Sequence, residues 1–236
     1  MPHSNKDNHS LHGSHGTDVT AIKRARLQAG IDRLGISCTI QQLDKLLQYV
    51  DMLERWNKAY NLTAVRDPIQ MIDLHILDSL VVLSHIDQSQ DIIDVGTGPG
   101  LPGIPLAIMS PDKNFTLLDS NGKKTRFLFQ VINDLGLDNA VEVNARVEAF
   151  ESDGKFDTVL SRAFSSIPDM LKNCGHLTSE TGSFMAMKGK NPESELSQLD
   201  KNYKVSDLCR LDIPGVDGER HLIKIIKTNR SPSSNT

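Results

Sequence analysis

The sequence predicts an α/β protein with a doubly wound, mostly parallel sheet, a helical segment before it and an antiparallel hairpin at its end. A short apolar run at 91–95 is followed by a glycine-rich turn and then by an apolar helix. After that unit, strand-like and helix-like segments alternate, which is typical of a parallel sheet with helices on both faces. The last two strand-like segments, 203–210 and 221–227, have only a loop between them, so we expect them to pair antiparallel.

The glycine-rich turn indicates a nucleotide site. Gly96, Gly98 and Gly100 suit a sharp turn and a close approach of a ligand to the backbone. Their G-x-G-x-G spacing differs from the G-x-G-x-x-G of dehydrogenases. The opening Asp94-Val-Gly96 resembles motif I of class I S-adenosylmethionine-dependent methyltransferases, a Rossmann-like fold that ends in such a hairpin. A purely structural turn and an NAD site remain the alternatives.

Composition is that of an ordinary soluble protein. The chain has 236 residues, 38% of them hydrophobic, and a formal net charge of −4. It shows no run of about 18 apolar residues and no signal-peptide pattern at its start, so we expect a cytoplasmic protein without a membrane span. The acidic balance argues mildly against a large nucleic-acid footprint but leaves room for a local basic face.

The predicted organisation has four parts. Residues 1–17 are rich in His, Ser, Asn and Gly and are expected to be a disordered leader. Residues 18–88 form a helical cap, 89–228 the cofactor-binding methyltransferase domain and 229–236 a flexible tail. We expect no metal, because the cysteines are far apart and the histidines of the leader have no scaffold. The cysteines are Cys38, Cys174 and Cys209, and the histidines of the leader are His3, His9, His12 and His15.

The last helix of the cap follows two amphipathic helices. It is expected to begin at Pro68 with Asp67 as its N-cap. Its sequence is largely apolar but includes His75 and Asp78. We interpret these two polar side chains as ties between this helix and another.

The ends of the strands carry the candidate cofactor contacts, because ligands of open α/β sheets bind beyond the carboxyl ends of their strands. Asp119 ends the second strand about 20 residues after Gly100, where an acid can bind ribose hydroxyls. After the third strand, Val147 offers a wall for an adenine ring and Glu148 a polar partner. A solvated loop acid at 119 and a helix-opening glutamate at 148 remain the alternatives.

The fourth strand leads into Ser161-Arg-Ala-Phe164. Enzymes that methylate exocyclic amines have Asn/Asp-Pro-Pro-Tyr/Phe at this point, and cytosine C5 enzymes have a Pro-Cys nucleophile. Neither motif is present, so the sequence disfavours both reactions.

Several motifs together closely resemble the glucose-inhibited division protein B family over roughly residues 20–228. The resemblance implies methyl transfer from S-adenosylmethionine to N7 of one guanine of bacterial 16S ribosomal RNA, near the decoding centre. It also implies cofactor contacts by Gly96, Leu101, Val147, Glu148 and Arg162. The motifs are Asn61-Leu-Thr-Ala, His75-Ile-Leu-Asp-Ser79, Asp94-Val-Gly-Thr-Gly-Pro-Gly-Leu-Pro-Gly-Ile-Pro105, Leu117-Leu-Asp-Ser120, Ser161-Arg-Ala-Phe164 and Gly218-Glu-Arg-His221.

Methylation at N7 constrains the chemistry, because N7 has a free lone pair and no proton has to leave. No general base is expected, and positioning supplies the catalysis. An arginine that read guanine through both O6 and N7 would block the nucleophile, so a donor should contact O6 alone. Arg162, Lys188 and Arg146 are the candidates for the base or an adjacent phosphate, with a surface or cofactor-side cation as the alternative for each.

An RNA target should be an unpaired, splayed-out base flanked by a cationic phosphate track. We expect a monomer that acts on 16S RNA within the 30S subunit, without a membrane or a metal. A small-molecule or protein methyltransferase with the same cofactor domain is the alternative function. The candidate RNA contacts, each of which a solvated face would also explain, are Lys123, Lys124, Arg126, Arg220, His221 and Lys224.

Overall fold

A computed structural model describes residues 14–162, 164, 166–190 and 192–228, with side chains from residue 19 onward. Its strands are β1 (Asp91–Val95), β2 (Asn114–Asp119), β3 (Ala140–Asn144), β4 (Phe156–Ser161), β5 (Thr178–Lys188), β6 (Tyr203–Arg210) and β7 (His221–Lys227). In this part of the chain they form one seven-stranded sheet in the order β3-β2-β1-β4-β5-β7-β6. The first five strands pair in parallel, and β7 lies antiparallel between β5 and β6. The predicted fold class and hairpin are therefore confirmed.

Local sequence signals explain where the helices begin. The Asp67 side chain accepts a hydrogen bond from the Gln70 amide, and Pro68 occupies the first turn, as predicted. A π-helical segment, Ile72–Leu77, joins α3 to α4, and short 3₁₀ helices cover Leu83–Ile86 and Val147–Ala149. The α-helices are α1 (Ser14–Arg33), α2 (Ile40–Tyr60), α3 (Pro68–Met71), α4 (Asp78–Leu80), α5 (Gly103–Met109), α6 (Gly122–Leu135), α7 (Ile167–Cys174) and α8 (Glu193–Leu196).

Both faces of the sheet are covered by apolar cores. On one face, Phe127 and Leu128 of α6 pack in the same cluster as Leu53 of α2. On the other face, Leu171 of α7 packs with Phe184 of β5. Residues of the predicted cap thus share a core with the predicted methyltransferase domain, so the cap is fixed against the sheet.

The predicted boundary of the leader at residue 17 lies inside α1, which begins at Ser14. The remainder of that leader and the predicted tail at 229–236 lie outside the described residues. Leu27 and Ile31, further along α1, are fully buried, so this helix is part of the fold.

The stretch Pro68–Ile86 has the length and apolar composition of a membrane span, which the sequence was not expected to contain. Its side chains show another role. Met71, Ile72 and Ile76 are fully buried in the protein core, and the buried carboxylate of Asp73 pairs with Arg26 at 2.8 Å. The stretch is a core helix, and no membrane protein is indicated.

Candidate active site

A cavity of about 230 Å³ opens beyond the carboxyl ends of β1, β2 and β3. This is the edge at which open α/β sheets bind ligands. Apolar side chains supply part of its wall, and acidic and basic side chains lie at its rim. We call it the first cavity; it is lined by Val95, Gly96, Leu118, Asp119, Ser120, Ala145, Arg146, Val147, Glu148 and Phe164.

Asp119 lines the first cavity and is held by two backbone N–H groups. Its Oδ2 accepts the backbone N–H of Gly98 at 2.9 Å, and its Oδ1 accepts the N–H of Asn121 at 2.8 Å. Each oxygen retains lone-pair capacity, since a carboxylate accepts about four hydrogen bonds. The carboxylate is therefore fixed in place and can accept from hydroxyl groups of a ligand.

The glycines of the turn have different roles. Gly96, a predicted cofactor contact, has a φ of 68° and lines the first cavity. Gly98 supports the site indirectly, through its bond to Asp119. Gly100 is a packing residue, because a Cβ there would lie 2.4 Å from the Ile104 side chain. Leu101 is 2% exposed in the apolar core and does not line the cavity.

Asp94 fixes the base of the glycine turn. Its Oδ2 accepts the N–H of Gly103 at 2.9 Å and the hydroxyl of Thr97 at 2.7 Å. Its Oδ1 is buried and has no hydrogen-bond partner among the described residues. Burial raises the pKa of this carboxyl to about 6, although the bonds from Thr97 and Gly103 favour the charged form.

A second cavity of about 340 Å³ lies beyond the ends of β4 and β5 and is bounded by the π-helical segment. Its central feature is Asp78, which is 4% exposed. The Asp78 carboxylate accepts from Arg162 at 2.9 Å and from Arg220 at 3.1 Å. This second cavity is lined by Leu74, His75, Asp78, Arg162, Met187, Lys188, Gly189, Leu211, Arg220 and His221.

Two histidines of the second cavity are largely buried. His75 Nε2 lies 2.8 Å from the Thr63 hydroxyl. Burial lowers the pKa of His75 to about 4, with a further contribution from Arg162, so its imidazole is neutral at pH 7. His221 is 7% exposed, and its Nδ1 has no hydrogen-bond partner in the described part of the chain.

Comparison with known proteins identifies the family of this chain. Residues 42–223 match the sequence model of the GidB family, described as rRNA small subunit methyltransferase G. A Cronobacter sakazakii protein named ribosomal RNA small subunit methyltransferase G is 54% identical, over 85% of this chain and 96% of its own length. A protein of the same name from Salmonella arizonae is also 54% identical, over 87% of this chain and 98% of its own length. The chain belongs to the rRNA small subunit methyltransferase G family.

The fold of this family member also resembles that of a solved structure. P. horikoshii TYW2 in complex with MeSAdo superposes with a TM-score of 0.51 and 10% identity, over 64% of this chain and 61% of that chain. At this identity the likeness concerns the fold alone.

The predicted catalytic residues of this methyltransferase divide between the cavities. Arg146 lines the first cavity with Val147 and Glu148, whereas Arg162 and Lys188 line the second. Arg162 was also predicted to contact the cofactor, but its guanidinium is directed to Asp78. The predicted contacts at Gly98, Gly100, Leu101 and Arg162 are therefore not residues of the first-cavity wall.

The predicted RNA contacts also separate. Lys123 and Arg126 are exposed on α6, while Lys124 lies 3.9 Å from the Asp119 carboxylate. Arg220 and His221 line the second cavity. Lys224 does not join them: it lines a groove with Ser89 and Asp157, near the amino ends of the strands.

The role of Asp78 was missed. The prediction that His75 and Asp78 tie helix to helix is wrong: Asp78 pairs with arginines that follow β4 and precede β7, and His75 contacts the loop residue Thr63. An acid within a largely apolar helix was the available signal, because a buried carboxylate requires partners.

Proposed function

We propose that this protein transfers a methyl group from S-adenosylmethionine to N7 of one guanine in the 16S RNA of the small ribosomal subunit. The relatives named above support ribosomal RNA as the substrate class. The observation that carries the assignment is a hydrogen bond of 3.2 Å from Lys188 Nζ to the Phe164 carbonyl. Phe164 lines the first cavity and Lys188 the second, so a cofactor site and a target site would adjoin at this contact.

The first cavity fits the cofactor. Asp119 presents fixed acceptors for ribose hydroxyls, Val147 and Phe164 provide apolar surface for a purine ring, and Gly96 allows a close backbone approach. When bound, S-adenosylmethionine supplies an electrophilic methyl group on its sulfonium. Glu148, at the exposed rim, is the proposed polar partner of the purine.

The second cavity fits a guanine and its phosphate. Arg162 and Arg220 share one carboxylate, and Lys188 pairs with Glu195 at 3.0 Å, so these side chains together carry excess positive charge. Asp78 holds Arg162 in place, which would let one donor contact guanine O6 while N7 stays open. The buried Nδ1 of His221 is a further polar group available to the base.

The proposed step needs no base. The N7 lone pair forms the new N–C bond while the methyl–sulfur bond breaks, and no proton moves in that step. The protein's contribution is then to align the two reactants and exclude water, which is catalysis by positioning. Consistent with this, burial keeps the pKa of His75 at about 4, too low for a base that titrates near neutral pH.

The test is labelled methyl transfer to ribosomal particles from a strain that lacks this enzyme. Free 16S RNA and intact 30S subunits are each incubated with enzyme and labelled cofactor, then digested and analysed by mass spectrometry. We expect one 7-methylguanosine per 16S molecule, with 30S subunits as the better substrate and the enzyme sedimenting as a monomer. Label on protein, on another base or on no ribosomal RNA would refute the proposal.

A matched pair of variants tests the site. Arg162→Lys keeps the charge but loses the planar fork, and we expect a fall in rate of about 10²- to 10³-fold. Arg24→Lys is the control, because Arg24 also pairs with an aspartate, Asp44, but on the exposed surface of the cap. This control should retain the wild-type rate.

A further inference from the structure

Three side chains of the types that bind metals converge at the outer edge of the sheet, and none of them lines either cavity. His85 belongs to the 3₁₀ helix Leu83–Ile86, and Asp207 and Cys209 lie two residues apart on β6. One ligand atom of each residue lies within 4.8 Å of the others. Cys209 Sγ is 3.9 Å from His85 Nε2, although the two residues are 124 positions apart in the sequence.

Asp207 and Cys209 have few polar interactions with other described side chains. Asp207 forms no ion pair with any described residue, although Lys224 is its cross-strand neighbour on β7. Apart from its contact with His85, the only hydrogen bond of the Cys209 thiol among the described residues is to the Leu222 carbonyl, at 3.8 Å. A separation of 3.9 Å makes the thiol–imidazole contact a weak hydrogen bond, whereas it is close to the spacing of two ligands on one metal ion.

We propose that His85, Asp207 and Cys209 bind one Zn²⁺ ion. Imidazole nitrogen, carboxylate oxygen and thiolate sulfur are the ligand types that zinc takes, at about 2.0–2.3 Å. Three protein ligands leave a fourth tetrahedral position for water. On binding, the Cys209 thiol loses its proton to solvent and the sulfur–metal bond forms, without any redox change.

The position of the site suggests its effect. β6 is the outermost strand of the sheet, and His85 lies in the last helical turn of the cap. A bound ion would link these two elements directly. The ion would bind the folded chain and not the unfolded chain, in which the three side chains are far apart. At a free Zn²⁺ concentration about a hundredfold above Kd, binding would therefore raise the melting temperature by about 5–10 °C.

The experiment titrates the full-length protein with Co²⁺ and Zn²⁺. Co²⁺ bound by Cys209 should give a thiolate-to-cobalt charge-transfer band that saturates at one ion per chain and is displaced by Zn²⁺. This signal separates the site from the histidines at the start of the chain, which lack sulfur: His3, His9, His12 and His15. Melting curves with and without Zn²⁺ provide the second measurement.

Variants decide the assignment. Cys209→Ser and His85→Ala should each abolish the band and weaken Zn²⁺ binding by more than the 10- to 100-fold typical of outer-shell partners. Cys38→Ser is the matched control, since Cys38 is another half-buried free thiol, and it should keep the band. No band in the wild type, a band that survives Cys209→Ser or His85→Ala, or a band lost in Cys38→Ser would overturn the proposal. Circular dichroism confirms that each variant is folded.

Discussion

Asp78 and Arg162 form an ion pair of 2.9 Å that connects the helical cap to the end of β4. The second oxygen of the same carboxylate accepts from Arg220 at 3.1 Å, which adds the segment before β7. Three parts of the chain thus meet at one buried carboxylate. Because two guanidinium groups share a single negative charge, the second cavity keeps a positive potential while its cations stay ordered.

We predict that Asp78→Asn destabilises the protein by about 2–3 kcal/mol. This is less than the roughly 3–5 kcal/mol for breaking a fully buried pair, because Arg162 and Arg220 retain some contact with water. Methyl transfer should also slow by at least about tenfold, since both arginines lose their anchor. Urea unfolding and single-turnover rates measure the two effects.

The control for this prediction is Asp44→Asn. Asp44 pairs with Arg24 on the exposed surface, where ion pairs contribute roughly 0–1 kcal/mol. If Asp44→Asn and Asp78→Asn have equal effects on stability, the Asp78 pair has no special structural role.

The glycine turn gives a second prediction, which separates two neighbouring residues. Gly100 has a φ of 103°, and a Cβ there would lie 2.4 Å from Ile104 and 2.8 Å from Leu128. We therefore expect Gly100→Ala to lower the free energy of unfolding by about 2–4 kcal/mol, through overpacking and backbone strain. Differential scanning calorimetry measures the loss.

Gly98→Ala should behave differently. Among the described residues, a Cβ at Gly98 would meet only the end of Lys124, at 3.8 Å, so the cost is the strain of its φ of 62°, about 1–2 kcal/mol. The same strain would shift the N–H that holds Asp119, so affinity for S-adenosylhomocysteine should fall more than stability does. Calorimetric titration that shows unchanged affinity in a folded Gly98→Ala protein would contradict this.

A third prediction concerns the pH dependence of stability. The pKa of Asp94 is about 6 in the folded protein, above the value of about 3.9 in an unfolded chain. The contribution of Asp94 to stability is then fully present below about pH 4 and is lost as the pH rises through 6. At about 1.4 kcal/mol per pKa unit, the loss is about 3 kcal/mol.

Asp94→Asn removes this titration. From pH 4 to pH 7, the unfolding free energy of the variant should gain about 3 kcal/mol relative to wild type. His75 acts in the opposite direction: its pKa is lowered to about 4, so its contribution is present above about pH 6.5 and is lost as the pH falls toward 4. Only the difference between wild type and variant therefore isolates Asp94, and parallel stability curves would contradict the prediction.

Much of the fold could be predicted from short stretches of sequence. The features that could not be predicted depend on contacts between residues far apart in the chain. The Asp67 N-cap, the strand at 91–95 and the final hairpin follow from short stretches, because caps and strand periodicity involve neighbouring residues. The partners of Asp78 lie 84 and 142 positions away, and no spacing rule indicates such pairs.

In the candidate site, too, some residue positions could be predicted from the sequence and others could not. Asp119 and Val147 were predicted from strand ends and do line the first cavity. Gly100 and Leu101 share the same motif, but a Cβ at Gly100 would meet the side chains of the apolar core and the Leu101 side chain is buried in that core, which the spacing of the motif does not indicate. Lys224 was grouped with Arg220 by sequence proximity, yet it lies in another groove further along β7.

The last prediction tests the base-free mechanism. Methylation at N7 involves no proton transfer before the N–C bond forms, so no catalytic base should titrate. At saturating cofactor, the single-turnover rate should be nearly constant between about pH 6 and pH 9. An active-site histidine with an ordinary pKa of about 6.5 would instead produce a rate that rises toward neutral pH and then levels.

Two histidine variants complete this test. His75→Ala and His221→Ala remove the buried histidines of the second cavity, and either change can lower the rate by disturbing the target site. Neither should alter the shape of the pH profile. The informative opposite result is a wild-type rate that increases tenfold per pH unit below about 6.5, together with one histidine variant that abolishes the increase. That pair of observations would identify a general base, and the methylated atom would then be a nitrogen or oxygen that carries a proton, not guanine N7.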